Sequence, residues 1–189
     1  MKKYIIFLII SGCMGLLAFG YEIGFYSLSC TGINNETIPF EQYKGKKVLV
    51  IVLPLAANDS SMITLQQLSG LAGKHKDSLV IIGVPGEEFG YTDSKKEQVK
   101  NLYANLPANF MLTAGMKVTK SSGQEQAALF QWLTDVKKNK HFDRNVSGVG
   151  DKFFINGHGQ LYAVFGPGFQ LSNPVIETVL SRPGSSGNQ

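Results

Sequence analysis

The chain has 189 residues, of which 43% are hydrophobic and 17% charged, which fits one packed domain and excludes a disordered chain or two ordinary domains. Lys2 and Lys3 supply two of the +4 formal charge, and residues 1–20 hold no Asp or Glu, so the remainder carries +2. That balance provides no basic surface of the kind a nucleic acid requires, and no nucleic-acid partner is expected.

Lys2-Lys3 leads a nearly unbroken apolar run over residues 4–19, the charged-then-apolar order of an export signal. The expected organisation is a signal peptide or N-terminal membrane anchor over 1–20, a folded domain over 21–182 and a flexible Gly- and Ser-rich tail over 183–189. Three fates of the leader stay open. Ala18-Phe19-Gly20 puts small residues where a signal peptidase reads. Residues 4–21 are long enough to cross a hydrocarbon core with their basic flank left in the cytoplasm. Ile10-Ser11-Gly12-Cys13 resembles a bacterial lipobox and makes Cys13 a candidate for lipidation. The protein is therefore expected to be exported, either membrane-anchored or free in the periplasm or another extracytoplasmic space. It would touch a membrane through this segment if the segment is uncleaved or lipidated.

With Cys13 in the leader, Cys30 is the one thiol of the folded domain and no internal disulfide can form. His75, His141 and His158 are scattered singly, without Cys or His at ligand spacing, and read as surface histidines. No metal site and no cofactor is expected.

Along the chain, two extended pieces at 25–28 and 37–40 flank the turn-rich Gly32-Ile33-Asn34-Asn35 and predict a hairpin. The continuous aliphatic run over 48–53 predicts a strand buried on both faces. Residues 58–61 offer capping side chains to a helix in which Leu65, Leu68 and Ala72 recur at helical spacing. A second buried strand over 78–84 follows directly, so a parallel strand, helix, strand unit is implied. Asp93 or Ser94 is expected to cap a helix with Val99, Leu102 and Tyr103 inward, and a short strand over 110–112 follows. A third helix is expected over 123–138, with Ala127, Phe130, Leu133 and Val136 on one face. Strands at 152–155 and 161–165 are joined by Asn156-Gly157-His158-Gly159, an antiparallel hairpin. Asn173-Pro174 opens the last helix.

A parallel half followed by an antiparallel hairpin and a closing helix is the plan of the α/β thioredoxin-like fold, a central mixed sheet flanked by helices. The local sequences also resemble the glutathione peroxidase family over nearly everything after the leader. Tyr26-Ser27-Leu28 and Tyr43-Lys44-Gly45-Lys46, with the strand that follows, resemble the family's opening. Val84-Pro85-Gly86-Glu87-Glu88-Phe89-Gly90 resembles its FPCNQFG segment. Lys117-Val118, Gly123 and Leu129-Phe130-Gln131-Trp132-Leu133 resemble its KVDVNG and LYKWL pieces, and Gly150-Asp151-Lys152-Phe153-Phe154-Ile155 its WNFTKFLV strand. The resemblance implies a glutathione-peroxidase-type thioredoxin fold with an N-terminal β-hairpin.

The same resemblance identifies a site whose four members all differ. The family places a cysteine or selenocysteine at the end of the first central strand, where Asn58 stands here; its supporting Gln aligns with Glu88, and its Trp and Asn with Gly148 and Val149. Peroxide reduction needs a nucleophile that attacks the O–O bond and becomes a sulfenic or selenenic acid, and an amide cannot do so. No Cys follows Cys30 in the chain, so a shift of register around Asn58 does not restore the chemistry. Asn58 reads as a helix cap and Glu87, Glu88 and Asp93 as a solvated acidic loop. Cys30, placed in the N-terminal hairpin, is the remaining candidate thiol. The expected function is that of a pseudoenzyme which binds an unidentified protein or small-molecule ligand. The alternative is an active peroxidase or thiol oxidoreductase of oxidative-stress defence working through Cys30. The basic stretch Lys137-Lys138-Asn139-Lys140 is a further candidate surface for an acidic partner.

Overall fold

A computed structural model describes residues 24–57 and 63–182. The leader with Cys13, the position Asn58 and the tail over 183–189 lie outside the described residues. The chain enters through a two-stranded antiparallel ribbon, β1 (Ser29–Thr31) and β2 (Thr37–Pro39). It continues through β3 (Lys47–Leu53), α1 (Leu65–Lys74), β4 (Leu79–Pro85), α2 (Lys96–Tyr103) and β5 (Phe110–Leu112). The second half is α3 (Ala128–Thr134), α4 (Val136–Asn139), β6 (Lys152–Ile155), β7 (Leu161–Phe165) and α5 (Pro174–Ser181).

One mixed sheet of order β5-β4-β3-β6-β7 carries the fold. β3 pairs parallel with β4, as the aliphatic runs predicted, and antiparallel with β6, which in turn pairs antiparallel with β7 as the hairpin predicted. Successive side chains of a strand point to opposite faces, and β3 divides its residues accordingly. Val48, Val50 and Val52 join Phe130, Leu133 and Phe153 on one face, together with Phe25 and Phe40 from the N-terminal segment. Leu49, Ile51 and Leu53 join Leu68, Val99, Phe154 and Ile176 on the other. All six are fully buried, each contributing on the order of 2 kcal/mol of hydrophobic stabilisation as an upper bound.

Several expectations are corrected in detail. The first hairpin strand is not 25–28: Phe25–Ser27 forms a 3-10 turn, because Phe25 is drawn into the core against Phe40, ring centroids 4.9 Å apart, and pairing begins at Ser29. α1 is capped by Thr64, whose hydroxyl accepts from the Gln67 N–H while the Gln67 side chain accepts from the Thr64 N–H. This reciprocal box satisfies two donors that the start of a helix otherwise leaves bare, so the cap is not within 58–61. Neither Asp93 nor Ser94 caps α2; both lie in a 3-10 turn over Asp93–Lys95 that precedes it.

The helix expected over 123–138 is broken twice. Gly123 takes φ 58°, ψ −127° inside a 3-10 stretch, a conformation open to glycine and costly for other residues. Asp135 then leaves the helical region and caps α4 through the Lys137 N–H at 2.9 Å. Val136, expected inward, is consequently 40% exposed. His141 and His158 are exposed as expected, whereas the His75 ring is partly buried and meets Glu177 at 3.1 Å.

Candidate functional site

β3 and β4 run parallel, so their carboxyl ends share one edge of the sheet, and antiparallel β6 begins at that same edge. Such an edge is where open α/β sheets bind ligands. The structure places Glu88, Gly148 and Val149 at these strand ends. Gly148 and Val149 lie in the loop leading into β6, which is fastened to the end of β3 by Gly150 N–H to Val52 O (2.7 Å) and Val52 N–H to Asp151 O (3.0 Å). Glu88 lies in the 3-10 turn Glu87–Phe89 directly after β4.

Glu88 is a residue of an exposed turn, yet its carboxylate is fully engaged. It accepts from the Val118 and Thr119 N–H groups at 3.0 and 2.9 Å, the Thr119 hydroxyl at 2.9 Å and the Ser122 hydroxyl at 2.7 Å. Partial burial opposes ionisation, but the hydrogen bonds from Val118, Thr119 and Ser122 outweigh it and hold the carboxyl near a pKa of about 2. The loop is therefore not simply solvated: Glu88 is an anion at neutral pH and ties the turn after β4 to residues 118–122.

A second anion holds the opposite loop. Asp151, fully buried, receives on Oδ2 the Ser147 N–H, the Ser147 hydroxyl (2.9 Å) and the Gly148 N–H (3.0 Å). Its Oδ1 has no hydrogen-bond partner and lies 3.8 Å from Arg144 Nη2. Next to it the Lys152 side chain is also fully buried and donates to the carbonyls of Gly150 and Gly166. Burial pushes the Lys152 amine down to about 8, with Asp151 partly restoring it. Thus Ser147 and Gly148 spend their donors on the protein's own carboxylate, and these N–H groups are not offered outward. Sequence reasoning missed this Arg144, Asp151 and Lys152 cluster, since only the fold brings residues 144 and 166 together; the WNFTKFLV-like strand was its one visible signal.

Past the end of β3 and beside the start of α1 lies a cleft of about 220 Å³ lined by Ala56, Ala57, Ile63, Thr64 and Leu102 among others. Its two hydroxyls are both engaged, Thr64 in the helix cap and Tyr103 in donating to the Pro54 carbonyl at 2.7 Å. Cys30 is elsewhere, in β1 opposite Ile38, half-buried. Burial, with the nearby Glu36 carboxylate, pushes its thiol up to about 12. It lines a separate hollow of about 200 Å³ with Ala114, Met116 and Leu129. Among the described residues no group of three His, Cys, Asp or Glu side chains is arranged to hold a metal ion.

Sheet order, flanking helices and the site at the strand ends define a protein of thioredoxin-like fold. Solved structures agree: the apo form of Trgpx superposes with a TM-score of 0.58 over 85% of this chain and 99% of its own, at 18% identity. The GPX1 of T. cruzi gives 0.59 over 84% and 94%, at 17% identity. The family model for glutathione peroxidase matches residues 25–134, and this chain belongs to the glutathione peroxidase family. Among curated relatives, a glutathione peroxidase of Lactococcus lactis subsp. cremoris is 29% identical over 77% of this chain and 90% of its own. Glutathione peroxidase 2 of Rattus norvegicus is 29% identical over 82% and 94%. The glutathione peroxidase-like peroxiredoxin HYR1 of Saccharomyces cerevisiae is 24% identical over 73% and 83%.

Proposed function

We propose that this chain keeps the family scaffold, has given up its peroxide chemistry and works outside the cytoplasm as a binding module. The observation that carries the reading is sulfur content: after the leader the chain has one thiol, Cys30, and none follows it. Peroxide reduction proceeds through a thiolate, and a thiol held at about 12 carries almost none at neutral pH. The rest of the site supports the same reading. Glu88 and Asp151 consume the nearby donors, and Gly148 and Val149 provide no side-chain donor for a developing anion. Export rests on Lys2-Lys3 and the apolar run over 4–19.

The decisive assay is hydroperoxide consumption with glutathione or thioredoxin as electron donor, on the wild type and Cys30→Ser. No turnover above a protein-free control is expected for either. A second reading, a thiol oxidoreductase using Cys30, has in its favour that this thiol lines a hollow rather than being packed shut. Turnover that Cys30→Ser abolishes would establish that reading and end the first. Mass spectrometry of the mature N-terminus distinguishes cleavage after Gly20, retention of the anchor and acylation at Cys13.

A further inference from the structure

The corner between α3 and α4 carries a cleft unrelated to the strand-end site. Leu28, Ala128 and Trp132 form its apolar walls, and Gln131, Lys137, Lys138 and Lys140 its polar rim, around about 280 Å³. That is room for about nine water-sized groups, the low end of small-ligand pockets. No carboxylate lines it among the described residues. Lys137 and Lys138 stand exposed on α4 and have no ion-pair partner among the described residues. Lys138 Nζ is steered by Gln131 Oε1 at 2.7 Å.

The rim is held rigidly. Asn139, 3% exposed, donates to the carbonyls of Trp132, Leu133 and Phe142 and accepts from the His141 and Phe142 N–H groups. Lys140 follows in the left-handed region at φ 68°, a conformation uncommon for a long side chain and one the Asn139 clamp enforces. Trp132, 4% exposed, has a buried indole Nε1–H with no partner. On the other side of Gln131, Lys137 and Lys138 lies a wider polar basin of about 650 Å³. Its two carboxylates are already engaged, Asp135 in the α4 cap and Asp143 with Lys120.

The geometry points to a binding site for a small organic carboxylate: an aryl or short alkyl body against Leu28 and Trp132, its anionic group on the Lys137 and Lys138 ridge, and any polar extension in the basin beyond. The apolar walls favour the body, and the exposed ammonium groups of Lys137 and Lys138 select the sign of its charge. The inference rests on the reading of this chain as a binding module, but its test reads binding directly, so peroxide turnover would end that reading without altering the titration.

Trp132 is the chain's single tryptophan, so its fluorescence reports on the cleft. The full chain in neutral detergent is titrated with 4-phenylbutyrate and with 4-phenylbutylamine, which share a body and differ in charge. A saturable response to phenylbutyrate is expected, with the amine at least tenfold weaker. The exposed pair Lys137→Ala/Lys138→Ala should weaken phenylbutyrate about tenfold while leaving the urea midpoint unchanged, and Ala128→Leu should abolish the response by filling the cleft. Equal responses to acid and amine would overturn the site. So would undiminished binding by the lysine variant, or a response only to phosphatidylglycerol vesicles, which would make this a membrane-facing surface.

Discussion

Replacing Glu88 by Gln tests whether its carboxylate is a structural tie. Glutamine keeps the shape and one acceptor oxygen but loses the charge that four donors address. The carboxyl falls from 4.5 to about 2 in the folded chain, which at 1.36 kcal/mol per pKa unit sets a ceiling of roughly 3.4 kcal/mol. Glu88 sits on an exposed turn, where solvent screening halves such a figure, so a loss of about 1.5 kcal/mol is expected at pH 7. For a domain of this size that lowers Tm by about 3–6 °C. The sign follows from the depressed value: the contribution is complete above 4.5 and disappears as pH falls from 4.5 toward 2. Urea unfolding of both proteins at pH 7, 4 and 2.5 should therefore give a difference that is largest at pH 7 and shrinks on acidification. A difference below 0.3 kcal/mol at pH 7, or one that does not change with pH, would refute the tie.

Further expectations come from Cys30 and Asp151. Cys30, with its thiol pushed from 9.0 to about 12, should react with iodoacetamide at pH 8 at least about a hundredfold more slowly in the native protein than after denaturation in urea. Its raised value also means that stability falls as pH rises from 9 toward 12, because only the unfolded chain then ionises freely. Asp151→Ala strands the Ser147 and Gly148 N–H groups and leaves Lys152 and Arg144 without their counter-charge. A loss of about 3 kcal/mol in a denaturant melt is expected, and a loss under 1 kcal/mol would show that the 147–151 loop is held by other means.

Much of the architecture is legible in the sequence because it is written in short-range patterns. The aliphatic runs of β3 and β4 have no alternative to burial on both faces. Asn156-Gly157-His158-Gly159 needs the positive φ that Gly159 adopts at 81°, and Asn173 caps α5 through the Val175 N–H as its place before Pro174 suggested. What was not readable depends on contacts distant in the chain. Phe25 leaves its strand for a stacking partner fifteen residues on, and the periodicity over 123–138 conceals a glycine conformation and a cap that divide it. The resemblance of local motifs singled out Glu88, Gly148 and Val149, but not the hydrogen bonds that Glu88 makes. Nothing near Glu88 in sequence reveals that its partners are Val118, Thr119 and Ser122. The lysine-rimmed cleft was half visible, as a basic stretch whose apolar wall comes from Leu28, more than a hundred residues earlier.

The N-terminal ribbon has a consequence for the order of assembly. It is stitched to the far end of β5 by Ile33 N–H to Leu112 O and Ala114 N–H to Thr31 O, and Tyr26 Oη reaches Gly157 O. Every one of those acceptors and donors on the body of the protein is synthesised long after the ribbon itself. The ribbon thus leaves the ribosome before its seat exists and must wait for it, and closing loops of this length makes it a late arrival. Until it docks, the backbone at the end of β5, Leu112 to Ala114, stays bare, a stretch of strand edge open to neighbouring chains.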